Sequence, residues 1–288
     1  MKRRTFLKQA GVVGAAATLG VKLGEETVEA SARPNLVYVF PDQYRKHAMG
    51  FLGQDPVLTP RIDAFAKESL FLPHAVSNYP VCSPHRAILM TGQYPARNGV
   101  MANCNSSRTH LQNYLKEDAV CLTDVLSDAG YSTGYIGKWH LDGPDATPPG
   151  EKIEWDAFTP PGPHRHSVDF WYSYGTFDDH LHPHYWTGDR PESDRIEVNQ
   201  WSPEHEADQA ISYIRNDEGD FRDSSQPFAL FVSMNPPHPP YHLVPERYKS
   251  LYEGKSAEEL LVRPNVDLGS ESSKRARAGV ADYFAMVS

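Results

Sequence analysis

The chain has 288 residues, 40% of them hydrophobic, enough for one large α/β domain or two small ones around a sizeable core. Lys and Arg total 28 against 37 Asp and Glu, a net charge of -9 that argues against nucleic acid or an anionic membrane surface as the main partner. An anionic substrate would need a local cluster of cations to overcome that field.

The N-terminus reads as a twin-arginine export signal over residues 1–32. Basic Lys2, Arg3 and Arg4 precede Phe6-Leu7-Lys8 and an apolar run from Ala10 to Val21, and Ala30-Ser31-Ala32 offers a small-residue cleavage site. The run is shorter than the roughly 20 residues of a membrane span, and its Ala and Gly are apolar on all sides, unlike an amphipathic helix. The expectation is a periplasmic or secreted protein with no membrane span in its mature chain, passed folded through the twin-arginine translocase. Three cysteines, Cys82, Cys104 and Cys121, are too few for a disulfide scaffold. A Cys104–Cys121 bridge and two buried free thiols stand as alternatives.

From residue 33 the pattern is α/β. Arg33 to Phe40, RPNLVYVF, is a β-branched, apolar run stopping at Pro41-Asp42, and predicts a buried first strand of a parallel sheet. Thr59 to Phe71 has Ile62, Phe65, Ala66 and Leu70 at helical spacing, with Thr59 before Pro60 as its start. A helix from about Cys121 to Ala129 ends at Gly130, and YSTGYIGKWH then predicts a strand running into Lys138 and His140. Residues 143–203 are rich in Pro, Gly, His and aromatics and read as a loop-rich insertion that forms a pocket. Trp171, Tyr172, His182, His184, Tyr185 and Trp186 are its candidate substrate-binding residues. Ser202 then caps a helix, and Pro227 to Met234 predicts another buried strand, leading into NPPHPPY. Three strands thus end at Asp42-Gln43, at Lys138 with His140, and near His238, on the sheet edge where α/β proteins gather ligands.

The stretch YPVCSPHRAILMTGQYPARNGV, Tyr79 to Val100, adds a fourth element. Pro84 suits a first helical turn and Ser83 can cap it, which puts Cys82 just before a helix N-terminus, where free amides favour an anion. Arg86 in that first turn opposes the helix dipole unless an anion lies between the two. Arg97 either supports this loop or is simply exposed.

CSPHR matches the C-x-P-x-R signature of type I sulfatases, of the alkaline phosphatase superfamily, and LMTGQYPARNGV resembles the signature's second half. The resemblance implies an alkaline-phosphatase-like α/β fold: a mixed, mostly parallel sheet flanked by helices. It implies that a formylglycine-generating enzyme oxidises Cys82 to formylglycine (3-oxoalanine), whose hydrate is the nucleophile. RPNLVYVFPDQ resembles the opening strand of the family with its first metal ligands, so Asp42 and Gln43, with Cys82, map to a Ca²⁺ site. GYIGKWHL resembles the segment whose lysine contacts the sulfate and whose histidine contacts the formylglycine hydroxyl, here Lys138 and His140. PPHPPY resembles the segment with the histidine near the leaving-group oxygen, here His238.

The resemblance covers residues 33–288 and stops before the second metal-ligand pair of the family and its C-terminal subdomain, which implies an incomplete catalytic domain, most simply a fragment of a longer enzyme. The expected function is an exported sulfatase, a sulfuric ester hydrolase, acting on sulfated carbohydrates. The alternatives are a phosphonate monoester or phosphodiester hydrolase using the same formylglycine, or an inactive truncated binding protein.

Overall fold

The computed structural model describes residues 33–217 and 219–288, so the expected export signal, with Lys2, Arg3 and Arg4, lies outside the described residues. Asn35–Ser288 is one compact unit. Six strands form its sheet: β1 (Leu36–Pro41), β2 (Ser132–Lys138), β3 (Phe170–Tyr174), β4 (His184–Thr187), β5 (Ile196–Glu197) and β6 (Phe228–Met234). Their order is β1-β6-β2-β3-β4-β5; the first four in that order pair in parallel, and β4 and β5 add antiparallel. The helices are α1 (Pro60–Ala66), α2 (Cys82–Thr91), α3 (Pro95–Asn98), α4 (Leu122–Asp128), α5 (Ser202–Arg215), α6 (Glu246–Lys249), α7 (Ala257–Leu260), α8 (Glu271–Arg277) and α9 (Val280–Val287).

Side chains alternating along the central strands fill two cores, one on each face of the sheet. Tyr135, Trp171, Ala229 and Phe231 pack with Ala87 and Met90 of α2 on one face. Their neighbours Ile136, Tyr172, Leu230 and Val232 pack with Ala210 and Tyr213 of α5 on the other. Each large apolar side chain buried in this way is worth about 1.5–3 kcal/mol against its exposed state. Gly137 is required by the close approach of β2 to β6: its φ is +93°, and a Cβ there would lie 2.2 Å from the carbonyl oxygen of Ser233.

The structure changes the readings of β1 and of the two serine caps, adds strands to the insertion and decides between the cysteine alternatives. β1 is not buried: Leu36, Val37, Tyr38 and Val39 are 41–54% exposed, because β1 is the end strand and, among the described residues, pairs with β6 alone. The insertion at 143–203 is loop-rich as expected, but it also supplies β3, β4 and β5, whose short aromatic runs join the sheet. Ser83 and Ser202 do not cap. Helices α2 and α5 start at Cys82 and Ser202, so Val81 and Trp201 take the cap positions, and the Ser83 hydroxyl instead accepts the amide of Cys104 at 3.0 Å. Cys104 and Cys121 are free, buried thiols; Cys104 Sγ donates to the Asn113 carbonyl.

Candidate active site

Strand β6 lies between β1 and β2, so the carboxyl ends of all three meet at one edge. The amide of Asp42, one residue past β1, donates to the Met234 carbonyl at the end of β6 at 2.8 Å. This fixes the Asp42 carboxylate over Lys138, the last residue of β2. Lys138 Nζ is 2.8 Å from Asp42 Oδ2 and donates to Asn235 Oδ1 at 3.0 Å. Arg86 reaches the same carboxylate oxygen from α2 at 3.1 Å, and its other terminal nitrogen donates to the Lys138 carbonyl at 2.5 Å and the Ser233 hydroxyl at 2.6 Å. Burial alone would raise the Asp42 pKa, but Lys138 and Arg86 hold it well below the usual carboxylate range. The anion that reconciles Arg86 with the dipole of α2 is, in this structure, Asp42.

Cys82 is the first residue of α2, and its Sγ donates to Asp42 Oδ1 at 3.6 Å. Burial pushes the thiol pKa up, with the Asp42 charge adding to it against Lys138 and Arg86, so an unmodified Cys82 is a neutral thiol and a poor nucleophile. Gly92 ends the helix in the left-handed region at φ +65°. The loop beyond is held by Asn98, which bonds the Gln93 carbonyl and the Val100 amide; Arg97 is exposed.

A cavity of about 500 Å³ opens beside this cluster, lined by Asp42, Gln43, Cys82, His85, Arg86, Asn103 and His238 among others. Lys138 and His140 are buried and do not line it; Lys138 meets it through Asp42. His140 Nε2 is 3.0 Å from the Cys104 carbonyl, which can only accept, so Nε2 carries the proton and Nδ1 is a buried acceptor with no partner. Burial, then Lys138 and Arg86, push the His140 pKa well down, which keeps the ring neutral. Both His140 and Gln43 adopt left-handed backbone, at φ 52° and 58°.

His238 Nδ1 stands 2.8 Å from the Pro239 carbonyl and 3.2 Å from Asp178 Oδ1, which leaves Nε2 for the cavity side. Asn235 donates to Asp178 at 3.0 Å, and His180 donates from Nε2 to the His238 carbonyl at 2.8 Å. Burial would raise the Asp178 pKa, but the bonds from His238 and Asn235 bring it to about 2. Sequence reasoning missed Asn235, Asp178, His180 and Ser233. Asn235 stood in the NPPHPPY segment, directly after a predicted strand, and that position was its one signal.

All six candidate substrate contacts of the insertion are corrected. Trp171 is 2% exposed, stacked on Tyr135 and capped by the Arg165 guanidinium. His184 is 1% exposed, bonded to Asp156 at 2.7 Å and packed between Phe177 and Trp186. Tyr172, Tyr185 and Trp186 are likewise core residues. His182 is exposed but faces Asp179 and does not line the cavity. Aromatics this dense bury one another, and the composition of a segment does not distinguish a pocket wall from a core.

The donor set fits one side of a hard-cation shell. The Asp42 carboxylate and the Gln43 amide are adjacent oxygen donors on the cavity wall, although Ca²⁺ takes six to eight oxygens. The Gln43 Nε2 donates to the Tyr241 hydroxyl at 3.0 Å, which turns its Oε1 away as the acceptor end.

Residues 34–279 match the sulfatase family profile. The chain is 45% identical to an endo-4-O-sulfatase of Bacteroides thetaiotaomicron, over 94% of this chain and 56% of that one. It is 34% identical to an ulvan-active sulfatase of Formosa agariphila, over 90% of this chain and 45% of that one. The crystal structure of yidJ from Bacteroides fragilis, named as a sulfatase, superposes with a TM-score of 0.82 at 44% identity, over 92% of this chain and 57% of that one. The chain thus spans about half the length of the curated relatives it matches. By the profile match over most of its length and by its fold, this chain belongs to the sulfatase family, among the type I enzymes of the alkaline phosphatase superfamily.

Proposed function

We propose that this chain carries the nucleophile and much of the catalytic site of an exported sulfatase that hydrolyses sulfate esters of carbohydrates through a formylglycine made from Cys82. One observation carries the reading. Cys82 starts α2 with its Sγ 3.6 Å from Asp42, and that carboxylate is held by Lys138 and Arg86 in a cavity that also admits His238. The similarity to an endo-4-O-sulfatase and an ulvan-active sulfatase supports a sulfated polysaccharide as the substrate. A formylglycine-generating enzyme and the twin-arginine translocase are the partners this reading requires.

The formylglycine hydrate supplies two geminal hydroxyls, one to attack sulfur and one to release sulfate. Asp42 and Gln43 would hold a Ca²⁺ ion, whose contribution is charge stabilisation on the sulfuryl oxygens. Lys138 and Arg86 add fixed positive charge beneath the reacting group, and the amides at the start of α2 add their dipole. His238 presents Nε2 to the leaving oxygen, and Asp178, 3.2 Å from Nδ1, fixes the orientation of the ring. His140, kept neutral with Nδ1 unpaired, accepts the proton that leaves with sulfate release.

The test is mass spectrometry of the peptide that contains Cys82, from protein made in an export-competent host, with turnover measured on sulfated glycans and on a phosphodiester. Formylglycine appears as a loss of about 18 Da against the thiol. Cys82→Ala should abolish turnover. Faster phosphodiester cleavage would reassign the enzyme, and an unmodified thiol with no turnover would overturn the reading.

A further inference from the structure

Away from the active-site cavity, Cys121, Asp124 and His166 bring one potential ligand atom each to within 4.8 Å of one another, the one His/Cys/carboxylate triplet of this kind among the described residues. Cys121 and His166 are buried, and Asp124 is partly exposed. The three come from two segments. Cys121 and Asp124 open α4, and His166 lies in the turn that leads to β3.

Each side chain is already held in place. Cys121 Sγ accepts the amide of Asp124, while the amide of Cys121 donates back to Asp124 Oδ2 at 2.8 Å. Ser167 Oγ donates to Asp124 Oδ1 at 2.7 Å. His166 Nδ1 is 3.9 Å from Asp124 Oδ2, beyond hydrogen-bonding reach, and the ring also bonds the backbone at Ala119. A backbone bond to the imidazole and an amide bond to the sulfur are the outer contacts that orient metal ligands. His166 and Ser167 both adopt left-handed backbone, at φ 44° and 58°, which aims the ring back toward α4.

We propose that Cys121, Asp124 and His166 bind one Zn²⁺ ion, with solvent in the fourth position on the partly exposed side of Asp124. Sulfur, imidazole nitrogen and carboxylate oxygen form a borderline donor set that suits Zn²⁺ and disfavours Ca²⁺. Binding replaces the S–H bond with an S–Zn bond and releases that proton to solvent, so affinity rises with pH. The ion would pin the start of α4 to the turn before β3, independently of any sulfatase chemistry.

The experiment adds Co²⁺, then Zn²⁺, to the purified chain in calcium buffer. It records the thiolate-to-cobalt absorption band, the bound zinc after dialysis and the proton released. Wild type should give the band, retain stoichiometric zinc and gain thermal stability. Cys121→Ser and His166→Gln should each weaken zinc binding by about 100-fold, whereas Cys82→Ala and Cys104→Ala should leave the band in place. If Cys121→Ser fails to fold, His166→Gln decides. A folded wild type without the band, or a band that survives His166→Gln, means that these residues make only helix-start and turn contacts, and overturns the proposal.

Discussion

Asp178 was invisible as a site residue in FDDHLH, yet it is the carboxylate that faces His238 Nδ1 at 3.2 Å and takes Asn235 as its second partner. If His238 delivers a proton to the leaving oxygen, Asp178 positions the ring for that transfer. Asp178→Asn should therefore lower kcat about tenfold with a smaller change in KM, read from steady-state kinetics on a poor leaving group. An ester with an acidic alcohol should suffer less, because it departs with little protonation. Cys82, Arg86, Lys138, His140 and His238 could be proposed from the sequence because each belongs to a short segment that resembles a family motif. Asp178, Asn235 and His180 were not, because their partners lie from 57 to 97 residues away and meet only when β6 enters the sheet.

At the level of elements, α5 packs against the sheet behind the site and carries Glu206, a wholly buried carboxyl. Its Oε1 accepts the hydroxyls of Tyr185 at 3.1 Å and Tyr174 at 3.4 Å, while Oε2 has no partner. Burial raises its pKa to about 8 against an ordinary 4.5. Between those values the unfolded chain loses a proton that the folded one keeps, so stability falls as pH rises from 4.5 to 8 and levels above it. The slope from this group is roughly 1.4 kcal/mol per pH unit. Glu206→Gln should remove that slope and make the variant more stable than wild type at pH 8–9, as measured by urea unfolding across pH. An unchanged slope would mean that Glu206 is ionised in the fold. The aromatic run of β3 and β4 belongs to the same layer: read as a sugar-binding loop, it instead builds the core against which α5 seats.

At the scale of the whole molecule, β1 is the end strand of the mixed sheet among the described residues, with four consecutive apolar residues accessible. Unpaired strand edges of this kind recruit other strands. The 288-residue chain should self-associate in light scattering at micromolar concentration, and Val37→Lys should suppress this without changing the far-ultraviolet spectrum. A monomeric wild type would remove the argument. The net charge of -9 gives general solubility but leaves this apolar edge unprotected.

The sequence by itself determined the α/β class, the family resemblance and the four segments proposed to carry the chemistry, because hydrophobic period and short motifs are local properties of the chain. Only the tertiary structure decided that β6 lies between β1 and β2, and with that order came the Asp42–Lys138–Arg86 cluster and the support of His238. It also turned Trp171 and His184 from pocket candidates into core and left β1 at an edge. Strand order depends on the competition of many buried contacts for the same faces, and no single stretch of sequence encodes that outcome.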